Sequence, residues 1–445
     1  MHNNNKKLSF SKLSLIFFAF VALILLTMDS VVNMHDEGLT LIDAVRVMHG
    51  DILHRDFYTN YGPAQPYLLG MLFHFFGEWV GIERIYDIFS RAATATLIYY
   101  IAAQYCRKSI TLFITALGAF HFIMGGGYGT SSTQVILLAL LGSVFILRAL
   151  DSPYLNKKAL FSAGIISGII ALFRYDSGFL VSVAHMGALF ICLWLQADNW
   201  KTKSTQLIQG GMYYAGGALL IFTPVALWYL SVAPIEPFIR DIFYYSQHIY
   251  PTTRSLPFPS LIECLFIPSN LIIYTPLLIT GIAIVILPWK QEQRNALAND
   301  RNSYRVVCAI VVFLLLALVF YTRVLVRTDA SHAVPTHFAS IPLFALLLEQ
   351  FRQHGRITKT ATVCVTILFF YILIPAVLNL TTVISNGQLI SAALKSYYNA
   401  NIIGNSPTLC NTPKELSNIA CFTISNELDE AAYWLAQETT PEQKV

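Results

Sequence analysis

Long apolar runs separated by short polar stretches dominate the chain. Runs of about 20 residues with almost no charge have the length that crosses a bilayer as a helix. The loops between the runs are too short to form separate cores, so we expect one membrane domain over residues 1–385 and a polar tail at 386–445. The pattern predicts an all-α polytopic membrane protein with eleven transmembrane helices, at residues 13–32, 84–105, 109–124, 132–149, 159–173, 178–196, 207–230, 269–289, 305–323, 335–350 and 360–383.

The polar stretch behind the first run, residues 33–83, contains two shorter helical patterns. In the first, four apolar residues recur at helical spacing ahead of Gly50, which is expected to end the helix; they are Leu41, Ala44, Val45 and Met48. The second, at 67–76, is apolar but only ten residues long, too short to span a membrane. Both are predicted to lie along the membrane surface, so that this first outer loop forms a folded cap.

The distribution of charge predicts the orientation in the membrane. Lys and Arg accumulate in cytoplasmic loops, and a cytoplasmic N-terminus places most of the 29 Lys and Arg residues inside and most of the 25 Asp and Glu residues outside. Lys6, Lys7 and Lys12 before an apolar run are also typical of a secretory signal, but no small-residue cleavage site follows them. We therefore expect an uncleaved first helix and, with an odd number of spans, an outer tail.

Composition agrees with a membrane protein, since the chain is 55% hydrophobic and 12% charged. The net charge of +4 is modest, and no run of basic and aromatic residues suggests a nucleic-acid partner. Membrane lipids are the expected surroundings. Five of the seven cysteines lie in or near apolar runs, whereas Cys410 and Cys421 lie in the tail, where an outer location favours a disulfide between them.

Acidic residues are concentrated at the start of the first outer loop. Five of the chain's 25 acids lie within residues 36–56, namely Asp36, Glu37, Asp43, Asp51 and Asp56. This concentration beside a membrane suggests chemistry or cation binding. Two interpretations of the adjacent Asp36 and Glu37 stay open. Their mutual repulsion raises one pKa and makes a better proton acceptor, or both acids cap the predicted helix, as acids do in a first turn.

A series of short motifs follows the first span in a fixed order. They are Asp36-Glu37-Gly38, Gly50-Asp51-Ile52-Leu53-His54-Arg55-Asp56-Phe57-Tyr58, Tyr61-Gly62-Pro63, Gly77, Arg174-Tyr175-Asp176-Ser177-Gly178 and Arg327-Thr328-Asp329-Ala330-Ser331-His332. This series, across about residues 13–385, resembles the GT-C superfamily of polyprenyl-phosphate-sugar-dependent glycosyltransferases. It is similar to the branch that holds dolichyl-phosphate-mannose protein mannosyltransferases and lipid A aminoarabinose transferases. The resemblance implies a GT-C-like helix bundle with an extracytoplasmic first loop.

The resemblance also implies an activity. A GT-C glycosyltransferase of this branch transfers a sugar, with inversion, from a polyprenyl-phosphate donor to a lipid, glycan or protein acceptor on the extracytoplasmic face. A bacterial cytoplasmic (inner) membrane and a cell-envelope glycan are the implied setting. By position, Asp36 matches the catalytic acid of the family, which accepts the acceptor's proton, and Glu37 matches its partner.

Negative charge grows on the leaving phosphate, so such a site needs cationic donors. The candidates for binding the donor phosphate are Arg174, Arg327 and His332, and each arginine has an aspartate two residues on. Four residues are expected to support them: Asp56, Tyr61, Asp176 and Asp329. The alternative is that an arginine at the end of a span only snorkels to the headgroups, and we assign that role to Arg323.

A metal site is a further possibility, because Asp36, Asp56 and His54 carry ligand atoms that suit divalent cations. The aminoarabinose-transferase pattern has a Glu before a Lys-Pro in this loop, whereas this chain has Tyr61-Gly62-Pro63. We therefore assign no cofactor, keep a divalent metal as an alternative, and interpret His54 as a surface-loop residue.

The longest polar segment between spans, residues 231–268, is rich in aromatic residues and proline. Aromatic residues at headgroup level usually form an interfacial belt, and that is the expected role of Tyr244, Tyr245, Tyr250 and Phe258. A groove that holds the sugar or lipid is the alternative.

A transporter or flippase of lipid-linked sugars is the main alternative function. Transporters place charged residues near the bilayer midplane and often contain internal repeats. Here no repeat relates the two halves, and most charges fall at the ends of spans. A non-catalytic membrane partner would leave the clustered acids without a role. The sequence therefore favours an active site that faces the outer surface.

Overall fold

The structure is a computed structural model that describes residues 9–26, 36–59, 61–124, 128–151, 155–196, 200–266, 270–290, 292–294, 297 and 300–353. Helices account for nearly all of these residues. They are α1 (Phe10–Leu26), α2 (Asp36–Met48), α3 (Ala64–Phe76), α4 (Val80–Tyr105), α5 (Lys108–Met124), α6 (Ser132–Leu150), α7 (Lys157–Phe173), α8 (Tyr175–Leu195), α9 (Trp200–Val232), α10 (Ile235–Ile239), a π-helix (Arg240–Ile249), α11 (Tyr250–Arg254), α12 (Leu261–Phe266), α13 (Leu271–Ile286), α14 (Arg301–Val326) and α15 (Ala330–Gln353).

The observed helices agree with the predicted spans. Four of them are long and apolar enough to cross a bilayer: Ser132–Leu150, Tyr175–Leu195, Lys201–Val232 and Arg301–Val326. Shorter apolar helices occupy Phe10–Leu25, Lys108–Ala119 and Leu271–Ile286. The predicted spans at 84–105, 159–173 and 335–350 coincide with α4, α7 and α15. The span predicted at 360–383 and the tail with Cys410 and Cys421 lie outside the described residues.

The two short helices predicted in the first outer loop are present as α2 and α3. They pack on one another through Ala44, Leu69 and Phe73. Gly70 permits this approach, because a Cβ there would lie 2.9 Å from the carbonyl oxygen of Ala44. Gly50 follows α2 with a φ of 100°, a backbone conformation that favours glycine and ends the helix. The chain thus turns back at the position that the sequence predicts.

The core of the bundle lies where α6, α8, α14 and α15 meet. Its largest side chains are Phe313 and Phe320 of α14 and Phe338 and Phe344 of α15, all with at most 1% exposure. α7 and α9 form a closer contact through glycines. Gly164 and Gly168 are spaced four residues apart on α7, and a Cβ at either would overlap a backbone carbonyl of α9. Such small-residue faces let membrane helices approach closely.

A buried polar network joins four helices inside the bundle. His185 of α8 is fully buried; its Nε2 lies 3.2 Å from Ser143 Oγ of α6 and its Nδ1 lies 3.1 Å from Tyr214 Oη of α9. The same hydroxyl pairs with Ser167 Oγ of α7 at 2.5 Å. Both ring nitrogens therefore have partners, as a buried polar side chain requires. The network fixes the relative register of α6, α7, α8 and α9.

The α7–α9 contact can be tested with two adjacent glycines of α9. A Cβ at Gly217 would overlap the carbonyl of Phe161 and lie 2.9 Å from Ile165 N, whereas one at Gly216 would lie 3.9 Å from the Phe161 ring. We expect Gly217→Ala to cost about 1–3 kcal/mol through overpacking. Gly216→Ala should be neutral or stabilising by up to about 1 kcal/mol, because alanine favours a helix. Thermal unfolding of the purified protein in detergent measures both, and equal effects of the two substitutions would contradict the packing described.

Candidate active site

The first turn of α2 places its two acids in different environments. Asp36 begins the helix and is exposed. Glu37 is fully buried and forms a two-fold ion pair with Arg84 of α4, with Nε to Oε1 at 2.7 Å and Nη2 to Oε2 at 2.9 Å. Both partners are at most 1% exposed. Glu37 therefore fixes the start of α2 on α4, while Asp36 remains exposed.

The loop before α6 adds further contacts around the Glu37–Arg84 ion pair, and together these contacts form the anchor of α2. Gly129 has a φ of 78°, and a Cβ there would lie 2.6 Å from Glu37 Cα, so only glycine fits. Its N–H donates to Glu83 Oε1 at 2.7 Å, and its carbonyl accepts hydrogen bonds from Gln65 Nε2, at 3.1 Å, and from the Thr40 hydroxyl. Gly129 thus joins α2, α3 and α4.

Tyr128 adds to the same anchor through its ring. The guanidinium groups of Arg84 and Arg91 each lie 4.5 Å from the ring centroid, and Arg91 also pairs with Asp87 at 2.6 Å. An aromatic face stabilises a desolvated cation by about 2 kcal/mol. Arg84 and Arg91 are therefore each paired with a carboxylate and placed over the same ring.

A second group of residues lies where α7 ends, α8 begins and α14 ends. Arg174, between α7 and α8, pairs with Asp176 through Nε at 3.2 Å and Nη2 at 3.1 Å, and its guanidinium lies 5.0 Å from the Tyr61 ring. Gly62 brings Tyr61 there, because its N–H donates to the Phe173 carbonyl at 3.0 Å. A Cβ on Gly62 would overlap the carbonyl of Leu172. The first outer loop thus contacts the predicted phosphate-binding arginine directly.

The snorkelling role expected for Arg323 is wrong. Its side chain is only 10% exposed, lies 3.7 Å from Asp176 and donates to the hydroxyl of Ser177. Its Nε is buried and has no hydrogen-bond partner among the described residues. The contacts of Arg323 are therefore with Asp176 and Ser177 inside the protein rather than with headgroups. The sequence indicates that Arg323 lies at the end of a span, but it does not indicate that Asp176 lies beside it.

Arg327, Asp329 and His332 form a compact chain at the start of α15. Arg327 Nε lies 2.7 Å from Asp329 Oδ2, and His332 Nδ1 lies 2.7 Å from Asp329 Oδ1. Asp329 Oδ1 also accepts the backbone N–H of His332 at 2.9 Å, as a helix-capping aspartate does. The residues that the sequence grouped by spacing are therefore in contact.

Tyr250 connects the arginines, although the sequence placed it in an aromatic belt. Its hydroxyl lies 3.3 Å from His332 Nε2 and hydrogen-bonds Arg327. It is also close enough to Arg174 and Arg323 to act on both electrostatically. The main chain supports this position, since Leu256 pairs with Arg327 as an isolated parallel bridge. The segment at 231–268 therefore contributes to the site, which favours the groove interpretation for Tyr250.

The sequence suggested that His54 and Asp56 could bind one metal ion. In the structure they contact different side chains. His54 is 2% exposed, and its Nδ1 lies 3.1 Å from Asp241 Oδ2, so the surface-loop interpretation is wrong. Burial lowers the pKa of His54, against the hydrogen bond with Asp241. Asp56 accepts the backbone N–H of Ile52 at 2.8 Å and pairs with Arg55 at 2.8 Å. No three potential ligand side chains form a metal-binding group within the described part of the chain.

Asp43 stands out on α2 although no motif contains it. Burial raises the pKa of Asp43 to about 7, against a hydrogen bond with Thr59 and the positive charge of Arg46. A carboxyl with a pKa near neutrality is a feature of functional sites. The available sequence signal was its spacing from Asp36, since positions seven apart share one face of a helix.

Comparison with known proteins finds a solved structure with a similar fold. The structure matches that of ArnT from Cupriavidus metallidurans bound to undecaprenyl phosphate, with a TM-score of 0.51 and 13% sequence identity. The match covers 88% of this chain and 67% of the ArnT chain. No family model matches the sequence, and a search of curated proteins finds no match.

The fold is thus that of an all-α polytopic membrane protein, and it is similar to the fold of ArnT.

The Glu37–Arg84 pair yields a stability prediction. Arg84→Met removes one partner of a buried ion pair and should cost about 3–5 kcal/mol, because the Glu37 carboxylate is left uncompensated. Glu37→Met combined with Arg84→Met should recover most of that loss. Arg46→Met is the control, since the Arg46–Asp51 pair is about one-third exposed and should contribute about 0–1 kcal/mol. Thermal unfolding measures all three. A loss for Arg84→Met no larger than that for Arg46→Met would exclude the anchoring role.

Proposed function

We propose that this protein is a glycosyltransferase that uses a polyprenyl-phosphate-linked sugar as donor. The transfer takes place on the extracytoplasmic face, with inversion at the anomeric carbon, and the acceptor is a lipid, glycan or protein at the same surface. The setting is the bacterial cytoplasmic membrane, with the N-terminus inside and the tail outside. The observation that carries this proposal is the convergence of Arg174, Arg323 and Arg327 around Tyr250.

The charge of this group suits a phosphate. Three arginines are balanced by two aspartates, Asp176 and Asp329, so the group retains one net positive charge. Each aspartate holds an arginine in place, and Arg323 keeps a buried N–H free for a ligand. Arginine presents several N–H donors in a plane that matches phosphate oxygens. The undecaprenyl phosphate bound to ArnT is a polyprenyl phosphate like the proposed leaving group, and this supports the assignment.

The reaction follows from charge development. The acceptor hydroxyl attacks the anomeric carbon while Asp36 accepts its proton. The bond between that carbon and the phosphate oxygen breaks, and the electron pair leaves with the phosphate. The arginines and His332 stabilise the growing negative charge without moving, because their ion pairs are already in place. A single displacement from the opposite side inverts the configuration.

The remaining residues have supporting roles in this proposal. Glu37 positions the start of α2 through Arg84 rather than accepting a proton itself. Tyr61 places its ring over Arg174. Tyr250 connects the Arg174–Asp176 pair with the Arg327–Asp329 pair. Asp56 fixes the turn after α2 through the backbone of Ile52. Asp36 is thereby the exposed acid of the adjacent pair and the one open to an acceptor.

Replacement of Asp36 tests the proton transfer. Asp36→Asn should lower transfer from an undecaprenyl-phosphate sugar to extracted membrane acceptors by about 10²–10⁴-fold, because the amide cannot accept the proton. Binding of undecaprenyl phosphate should persist, since the arginines are untouched. Near-normal transfer in Asp36→Asn, with none in Glu37→Gln, would reverse the roles of the two acids. Activity in both variants would refute the mechanism.

Replacement of Arg323 tests the phosphate side. A hydrogen bond to a charged group contributes about 1.5–3 kcal/mol, so Arg323→Gln should weaken undecaprenyl phosphate binding by roughly 10- to 150-fold. Arg305→Gln is the matched control on the same helix, because Arg305 pairs with Asp151 on another part of the molecule. Calorimetry in detergent measures both affinities. Equal affinities for the two variants would remove Arg323 from the site.

A further inference from the structure

Asp43 shares a helix face with the proposed base. Positions 36, 40 and 43 of α2 lie four and seven residues apart, so Asp36, Thr40 and Asp43 point to the same side. The proposed reaction uses Asp36 and leaves Asp43 without a role. Asp43 is half-buried and contacts a segment that leads away from α2 towards Arg174.

A chain of hydrogen bonds connects Asp43 with that segment. The Asp43 carboxyl shares a side-chain hydrogen bond with Thr59, which is 4% exposed. Thr59 Oγ1 in turn accepts the backbone N–H of Tyr61 at 3.3 Å. Tyr61 places its ring 5.0 Å from the Arg174 guanidinium, and Gly62 is bonded to the end of α7. Asp43 is thus linked to Arg174 through three consecutive contacts.

We propose that Asp43 is a positioning residue whose ionised carboxylate holds Thr59 and Tyr61 in place and so orients Arg174 towards an anionic ligand. The ligand part of this inference rests on the proposed function; the link between Asp43 and Tyr61 does not.

The charge of the Asp43 carboxylate explains why the ionised form is required. A carboxylate only accepts, so the Thr59 hydroxyl donates to Asp43 and its oxygen remains available to the Tyr61 N–H. A protonated Asp43 still offers an oxygen to the Thr59 hydroxyl, but this neutral hydrogen bond is weaker than the bond to a carboxylate. Protonation therefore loosens the segment that carries Tyr61.

The surroundings of Asp43 place this change near neutral pH. Burial raises its pKa to about 7, and the charged group that acts against burial is Arg46, on the next turn of α2. Arg46 is itself paired with Asp51. The other titratable side chains on the neighbouring turn and on α3 are His54, Asp56, Tyr67 and His74; Asp56 pairs with Arg55 and His54 with Asp241. Ionisation of Asp43 is thus the step that controls this chain of contacts.

Hydrogen–deuterium exchange of a peptide covering residues 57–63 tests the link in the full-length protein. After correction for intrinsic rates, the wild-type peptide should exchange several-fold faster at about pH 6 than at about pH 8, because Tyr61 N–H protection depends on ionised Asp43. Asp43→Asn and Thr59→Val should exchange quickly at both pH values. Thr59→Ser keeps the hydroxyl and should keep the pH dependence, as should the control Asp51→Asn. A pH dependence that survives in Asp43→Asn, or is absent from the wild type, would overturn the proposal.

Undecaprenyl phosphate binding separates this inference from the proposed function. Wild-type affinity should rise from about pH 6 to about pH 8, and the rise should be smaller in Asp43→Asn, where only the ionisation of the phosphate itself remains. Wild-type exchange that depends on pH, without binding of undecaprenyl phosphate at either pH, would retain the link to Tyr61 and refute the proposed ligand. Binding with an equal rise in affinity in wild type and Asp43→Asn would retain the ligand and refute the positioning role.

Discussion

The buried ion pair of Glu37 and Arg84 is the interaction on which the position of α2 and its acids depends. A charge removed from water must be paired, and here both partners are at most 1% exposed. The pair fixes the start of α2 on α4, and Gly129 closes the same corner by bonding Thr40, Gln65 and Glu83. Because Glu37 is held inside, the preceding residue Asp36 faces the surface. One electrostatic constraint thus separates two adjacent acids into an anchor and a proposed base.

The arginines near Tyr250 are likewise paired with carboxylates. Asp176 and Asp329 each hold an arginine from two residues before, and Arg323 reaches Asp176 from α14. The cations are therefore placed before any ligand arrives. Donors that are already oriented stabilise developing charge more effectively than donors that must reorganise. The single positive charge left over gives the group a preference for an anion.

The first outer loop joins these two regions. Gly62 lies against the last turn of α7, Tyr61 lies over Arg174, and Thr59 connects both to Asp43 on the helix that carries Asp36. The outer segment after α9 contributes Tyr250 and the His54 partner Asp241. Acid and cations are thus held by connected segments, and a change in one is transmitted through hydrogen bonds rather than through the apolar bundle.

The pattern of apolar residues was sufficient to predict the helices in the described part of the chain, including the short α2 and α3, and the residue types near the helix ends. These follow from bilayer thickness and helical periodicity, which act on each segment separately. Asp329 beside Arg327 was likewise predictable from local spacing. Only the tertiary structure decided that Glu37 pairs with Arg84, that Tyr250 lies beside His332 and that Arg323 is buried beside Asp176. These partners are 47, 82 and 147 residues apart in sequence. Which residues become partners depends on how the helices pack and which faces meet. This cannot be inferred from the periodicity of a single helix.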